Sequence, residues 1–235
     1  MRLASFNIKN GLSGDGSCEP EALVGACRML RADVLALQEV DRGVPRSNKA
    51  DQTEIVADGC GLTGLYAPAR RLDGGEYGNA LLVRGSLADV ENVRLPVLPG
   101  NEARSAVVAR AEVNGLALSV AGTHLQNRHG GPPPTSKDAA EQLDQLSVVL
   151  GALASRPRPK VLLGDLNMPP EVVVPVLESA GYAVADSEPT VVVGAPKFRI
   201  DYVAVDGLAV GAGEVVDTAV SDHRAIVAEA VADPT

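Results

Sequence analysis

Short apolar stretches recur along this chain, and their pattern predicts a protein rich in strands. Residues 2–8 (RLASFNI) alternate between apolar and polar and stop at Asn10-Gly11, as a strand ending in a turn does. Residues 33–40 (DVLALQEV) are almost continuously apolar, which is typical of a strand buried on both faces. Similar patterns predict further strands at 64–69, 79–84, 88–95, 105–113, 116–123, 160–167, 198–205, 208–216 and 223–231.

Four segments have helical spacing instead. The first (20–32) has Pro20 at its first turn, and the second has Asp51 as a candidate N-cap with Glu54 three residues later and Gly61 as a stop. The third (137–153) is the longest, and the fourth (169–182) contains Pro175 and a β-branched run that weaken its pattern.

The order of these elements predicts the fold class. Asn114-Gly115 predicts a hairpin between two strands, whereas other strands alternate with helices. This mixture of about ten to twelve strands and four helices favours mixed sheets that face each other, with helices outside. The chain has no linker and no repeat, so one domain over residues 1–235 is expected.

The amino-acid composition argues against some classes of function. Aromatic residues make up only 3% of the 235 residues and there is no Trp, which argues against a site that stacks several bases. The net charge of −9 argues against a protein that holds long nucleic acid by neutralising phosphates. A small anionic substrate remains compatible, since a local arginine cluster can outweigh the global charge.

The three cysteines (Cys18, Cys27 and Cys60) have no metal-type spacing, and their odd number favours free thiols in a reducing compartment. The first residues have no apolar signal core, and no run of 18 apolar residues occurs. A cytoplasmic monomer without a membrane partner is therefore expected.

Polar side chains with chemical potential follow the apolar strands. Each has a simple explanation by itself: Asn7 as a turn residue, Glu39 as a solvated carboxylate, Asp165 as a helix cap. Together they suggest convergence at one sheet edge, where Mg²⁺ finds carboxylates and leaves sites for water and phosphate. The set is Asn7, Glu39, His124, Asp165, Asn167, Asp201, Asp222 and His223.

Hydrolysis of a phosphoester by water gives these residues possible roles. Glu39 can hold the metal, and Asp165 can orient or deprotonate water beside the Asn167 amide. His223, if partnered by Asp201, would stay cationic and donate to the phosphate, with His124 as a second donor.

Eight motifs in order (SFNI, LALQEV, YGNALL, ARSAVVARAEV, THLQ, LLGDLNMPP, RIDYVAV and SDHRAIV) resemble the endonuclease/exonuclease/phosphatase, DNase I-like superfamily over nearly the whole chain. The resemblance implies a four-layered α/β sandwich of two mixed sheets with helices on both outer sides, and Mg²⁺ or Mn²⁺ as cofactor. It places Asn7, Glu39 and Asp222 on the metal side. It assigns catalysis to His124, Asp165, Asn167, Asp201 and His223.

The stretch LQEVDRGVPRSNKADQ is similar to a compact bacterial hydrolase subgroup. Substrate binding is expected from Arg46, Asn79, Arg104 and Arg128. Arg46 or Arg104 could clamp a phosphate, although Arg104 could equally pair with Glu39 or Asp222. Ala139 stands where the subgroup often has arginine, so that contact is lost or moved to Arg128.

The expected activity is metal-dependent hydrolysis of a small or flexible phosphodiester or phosphomonoester. A nuclease on short or single-stranded nucleic acid is the alternative, and an inactive binding scaffold is a minor one. A serine hydrolase is excluded because no GxSxG elbow occurs and Ser221, Asp222 and His223 are adjacent. A P-loop enzyme is excluded because GxxxxGK[ST] is missing.

Overall fold

The computed structural model describes residues 1–128, 131–191 and 197–232, so part of the predicted 124–136 loop and the end of the predicted domain lie outside the described residues. Two mixed sheets and four helices fill these ranges. The helices are α1 (Pro20–Leu30), α2 (Gln52–Cys60), α3 (Ala140–Ala154) and α4 (Pro170–Ser179).

The first sheet has seven strands: β1 (Arg2–Asn7), β2 (Val34–Arg42), β3 (Thr63–Leu72), β4 (Gly75–Val83), β11 (Leu208–Val210), β12 (Glu214–Val216) and β13 (Ala225–Ala232). Its order is β11-β13-β1-β2-β4-β3, and β12 also pairs with β13. Strands β1 and β2 are parallel, whereas the other pairs are antiparallel.

The second sheet has six strands: β5 (Gly85–Arg94), β6 (Ser105–Val113), β7 (Leu116–His124), β8 (Lys160–Asp165), β9 (Ala183–Val184) and β10 (Asp201–Asp206). Its order is β5-β6-β7-β8-β10-β9, and β7 and β8 are parallel. The parallel pairs bring the ends of β1 and β2, and of β7 and β8, to sheet edges where polar residues follow.

Alternation along the strands builds the layers. In β2, Ala36 packs into the core between the two sheets, whereas Leu35 and Leu37 pack on the side of α1 and α2. In β8, Leu163 faces the other sheet and Leu162 faces α3 and α4. The four-layered sandwich with helices on both outer sides is therefore confirmed. That it forms a single domain over 1–235 stays a prediction.

Several local predictions are confirmed. Asp51 caps α2 by accepting a hydrogen bond from the Glu54 backbone at 3.1 Å. Asn114-Gly115 joins β6 to β7 with both residues at positive φ, as a two-residue hairpin turn requires. The three cysteines are free thiols. Within the described ranges, none of the helices combines the length and apolarity needed to cross a bilayer.

Other boundaries differ from the expectation. The predicted strand 208–216 is two strands, and 198–205 becomes regular only at Asp201. The last strand begins at Ala225, so Asp222 and His223 lie in the turn before it. The second strand continues past Glu39 to Arg42, because a bulge rather than a strand end occurs there.

Gly164 allows the close approach of β7 and β8 next to Asp165. A Cβ at this position would lie 2.4 Å from the Thr123 carbonyl oxygen, a backbone atom that cannot move aside. We expect Gly164→Ala to lower the free energy of unfolding by about 1–3 kcal/mol, measured by urea denaturation. Gly151→Ala is the control, because a Cβ in that part of α3 meets nothing within 4 Å and should stabilise by about 0.5–1 kcal/mol. Equal stability of Gly164→Ala and wild type would contradict the packing.

Candidate active site

Glu39 takes its position from a bulge in β2. The pairing with β4 shifts between Leu37 and Val40, so that two residues of β2 lie opposite Asn79 alone. Glu39 has φ 57°, in the left-handed region that costs free energy for a residue other than glycine. Bulges re-aim side chains next to active sites. We therefore expect the bulge to change the direction in which the Glu39 carboxylate points.

The amide of Asn7 connects the two halves of the site. Its Nδ2 donates to Glu39 Oε1 at 3.1 Å and to Asp165 Oδ2 at 3.0 Å. Its Oδ1 accepts from the Lys9 backbone at 3.1 Å, which fixes the orientation of the amide. Because Asn7 ends β1 and Asp165 ends β8, this 1% exposed side chain also joins the two sheets.

Asp165 is a buried carboxylate surrounded by donors. Besides Asn7, the Asn167 backbone donates to it at 3.0 Å, and Asn167 Nδ2 donates to the Leu125 carbonyl. The Nε2 atoms of His124 and His223 lie 3.6 and 3.9 Å from Asp165 Oδ2. Burial and the nearby Asp201 raise the pKa of Asp165 to about 7. A carboxylate with a pKa near neutral is suited to proton transfer.

His223 is held by Asp201, whose side chain is fully buried. The ring Nδ1 lies 2.9 Å from Asp201 Oδ2, and the His223 backbone donates to Ser221 Oγ. Burial acts to lower the pKa of His223, but Asp201, Asp165 and Asp222 outweigh it and raise the pKa to about 10. His223 is therefore cationic, and its Nε2 faces Asp165.

His124, unlike His223, is neutral. Arg104 Nη1 lies 3.0 Å from His124 Nδ1, and since a guanidinium has only donors, Nδ1 must accept and the proton lies on Nε2. Burial, Arg104 and His223 hold the pKa of His124 well below its ordinary value. The site thus contains one neutral and one cationic imidazole.

The donor set suits a hard divalent cation. Glu39 is partly exposed and hydrogen bonds with Asn7 through one carboxylate oxygen. Asp222 is also partly exposed, and Lys9 Nζ lies 2.5 Å from its Oδ2. Asp165, Asp201 and His223 form a second group, with ligand atoms within 4.8 Å of one another. Carboxylate oxygens are the ligands that Mg²⁺ and Mn²⁺ prefer, so the residues fit such an ion.

The predicted substrate residues are mostly engaged with protein groups. Arg46 makes two 2.8 Å hydrogen bonds to the buried Asp41, which occupy one edge of its guanidinium. Asn79 is 2% exposed and donates to the Ser105 carbonyl in the other sheet. Arg128 pairs with Asp138.

The structure shows the partners of Arg104 and the surroundings of Ala139. Arg104 is 3% exposed and contacts His124 and Glu102, rather than Glu39 or Asp222. Ala139, where the subgroup often has arginine, is fully buried in the core beneath α3.

A sequence model described as the endonuclease/exonuclease/phosphatase family matches residues 4–223. The chain belongs to this family. No curated protein sequence matches the chain. Among solved structures, the chain is similar to an endonuclease/exonuclease/phosphatase from Beutenbergia cavernae DSM 12333, with 24% identity, a TM-score of 0.80, and coverage of 99% of this chain and 71% of that one.

Two further similar structures have names that point to more specific proteins. One is a humanized D. rerio TDP2, with 18% identity, a TM-score of 0.70 and 98% coverage of both chains. The other is the human Nocturnin catalytic domain with bound sulfate, with 21% identity, a TM-score of 0.72, and coverage of 99% of this chain and 94% of that one. At these identities the similarity shows the fold of the family.

The structure of this family member also shows site residues that the sequence analysis missed. Lys9 follows the FNI motif but carries no recognisable signal of its own. Asp41 lies two positions after Glu39, and its full burial marks it as the partner of Arg46. The Tyr77 hydroxyl accepts a hydrogen bond from Arg104 Nη1 at 3.4 Å.

The two imidazoles should show their different charges directly. In the metal-free protein between about pH 6 and 8, we expect His124 neutral with its proton on Nε2 and His223 cationic. Imidazole ¹H–¹⁵N spectra report both, with the third histidine assigned by His129→Gln. Asp201→Asn should lower the pKa of His223 toward neutrality, because the largest raising influence is removed, and leave His124 neutral. Titration of His124 within this window would contradict the Arg104 hydrogen bond.

Proposed function

We propose that the protein is a Mg²⁺- or Mn²⁺-dependent phosphoesterase that hydrolyses a phosphodiester, or a phosphomonoester, of a small or flexible substrate. The observation that carries the proposal is the position of Asn7, whose single amide binds both the Glu39 and the Asp165 carboxylates. A cation-binding group and a proton-accepting group are thereby held side by side. Membership of a family of phosphoester hydrolases supports the same reaction class.

The residues of the chain would divide the work as follows. Glu39 would hold the cation. The family resemblance also places Asp222 on the metal side, where it pairs with Lys9. When bound, the cation neutralises phosphate charge and assists the leaving oxygen. Asp165, with its pKa of about 7, would orient and deprotonate the attacking water. Cationic His223 and the Nε2–H of His124 would donate to phosphate oxygens.

The charges beside the site support a substrate with few phosphates. Three arginines surround Tyr77: Arg46 and Arg70 lie over its ring at 5.6 and 5.0 Å, and Arg104 lies 3.4 Å from its hydroxyl. Asp41 and Glu102 already pair with these arginines. This small arginine cluster can attract a substrate with one or two phosphates. The net charge of −9 on the whole chain disfavours a long polyanion.

Nuclease action on short or single-stranded nucleic acid is the alternative that the family name keeps open. Hydrolysis of a panel with Mg²⁺ and with Mn²⁺ separates the two: a generic diester, a monoester, supercoiled DNA, single-stranded DNA, RNA, inositol phosphates and phospholipid headgroup esters. An inactive scaffold would hydrolyse none of them. The monomeric state and the cytoplasmic location stay predictions.

Glu39→Gln should abolish metal-dependent hydrolysis, because it removes the negative charge of the proposed metal ligand while keeping the shape. Activity on the panel and Mn²⁺ binding by calorimetry are measured together, and circular dichroism checks folding. Glu112→Gln, at an exposed position of β6, is the control and should keep full activity. Full activity of Glu39→Gln would remove Glu39 from the metal site.

His223→Ala should lower kcat by about 10²–10⁴-fold, the usual contribution of a placed proton-transfer or donor group. The neighbouring Arg224 provides a matched control, because its guanidinium pairs with Asp217 at 2.5 Å. Arg224→Ala should therefore change kcat by less than about threefold. Equal losses in the two variants would mean that the turn, rather than the imidazole, is what the reaction needs.

A further inference from the structure

Lys9 contacts Asp222, a residue that the family resemblance assigns to the metal side. Its Nζ is 2.5 Å from Asp222 Oδ2, and both side chains are partly exposed, at 41% and 37%. An exposed lysine–carboxylate pair is ordinarily weak, because two flexible side chains must be ordered to form it. The pair is stronger where the backbone already orders both side chains.

The turn that carries Lys9 is fixed on one side by Asn7 and α2. The Lys9 backbone donates to Asn7 Oδ1 at 3.1 Å, and Gln52 Nε2 donates to the Asn10 carbonyl at 2.6 Å. Lys9 and Asn10 have φ 44° and 52°, conformations that persist only when neighbouring contacts hold them. The start of the lysine side chain is therefore determined by the fold.

The turn that carries Asp222 is bound to the same segment. The Ser221 backbone donates to the Leu12 carbonyl at 2.8 Å, and Ser221 Oγ donates to the Asn7 carbonyl at 2.6 Å. Lys9 and Asp222 therefore start from two turns that are hydrogen bonded to each other. Less freedom is lost on pairing than in an isolated surface pair.

The Lys9–Asp222 pair lowers the negative charge that is available to a metal ion at this edge. A carboxylate that accepts from an ammonium at 2.5 Å is neutralised and has lost part of its attraction for a cation. Asn7 also turns its Nδ2, not its oxygen, toward Glu39. Of the two metal-side carboxylates, Asp222 is paired with Lys9, whereas Glu39 forms no salt bridge among the described residues.

We propose that Lys9 acts as a resident cation at Asp222, so that the divalent ion binds at Glu39 without Asp222 as a ligand. This inference rests on the proposed function, since it concerns the same metal site. It also gives the centre a permanent positive charge beside the bound ion. Lys9 is thus a positioning residue that sets the affinity for the ion.

The test is a cycle of Mn²⁺ affinities measured by calorimetry on the whole protein, with no substrate present. Lys9→Met removes the ammonium and releases Asp222, so Mn²⁺ should bind about tenfold more tightly. The double variant Lys9→Met/Asp222→Asn removes a neutral pair, so its affinity should return to within about threefold of wild type. Lys9→Arg should behave as wild type, because it keeps the charge. Lys49→Met, an exposed lysine in another turn, is the control and should change nothing.

The results separate this inference from the proposed function. If the double variant binds Mn²⁺ at least tenfold more weakly than wild type, Asp222 is a ligand and Lys9 moves aside, which overturns the inference. Unchanged affinity in Lys9→Met overturns it as well. If the wild-type protein binds no Mn²⁺ at all, the proposed function fails together with the inference.

Discussion

The site depends on one buried amide that two carboxylates share. Asn7 can reach Glu39 and Asp165 at about hydrogen-bond length only if the two sheets lie close together at this end. Small residues allow this approach. A Cβ on Gly122 would lie 3.2 Å from the Ala36 Cβ across the sheet interface. The packing of small side chains between the sheets therefore also determines how close the Glu39 and Asp165 carboxylates lie to Asn7.

The same constraint creates an electrostatic problem that the surrounding side chains resolve. Asp165 and Asp201 are almost fully buried within reach of one imidazole, and two carboxylates so placed cannot both be ionised without compensation. Although burial acts to lower the pKa of His223, the two carboxylates raise it to about 10, so His223 carries a positive charge between them. Burial, together with the adjacent Arg104, keeps the pKa of His124 low, so this second imidazole stays neutral. Two residues of one type thus obtain different roles from their neighbours alone.

Much of this arrangement could be predicted from the sequence, because polar residues at the ends of apolar strands must meet at a sheet edge. The alternation that buries Ala36 on one face and Leu35 on the other also fixes the layers. The bulge at Glu39 could not be predicted, since nothing in QEVDR distinguishes a bulged strand from a strand that ends there. The turn at Asp73-Gly74 has positive φ at both residues, as Asn114-Gly115 does, and Asp-Gly is an equally strong hairpin signal. Pairing between distant charged residues, such as Lys9 with Asp222, leaves no trace in a local pattern.

Site residues also hold the sandwich together. Asn7 reaches Asp165 across the sheets, and Asn79 reaches the Ser105 carbonyl in the same direction. Both amides are nearly inaccessible to solvent. Replacing either leaves a buried acceptor without its donor, which costs stability as well as geometry. Glu39, Lys9 and Asp222 are different, because they are partly exposed. The chain therefore separates buried polar residues, where a substitution changes the fold and the site together, from partly exposed ones, where a substitution can change the site while the sandwich stays intact.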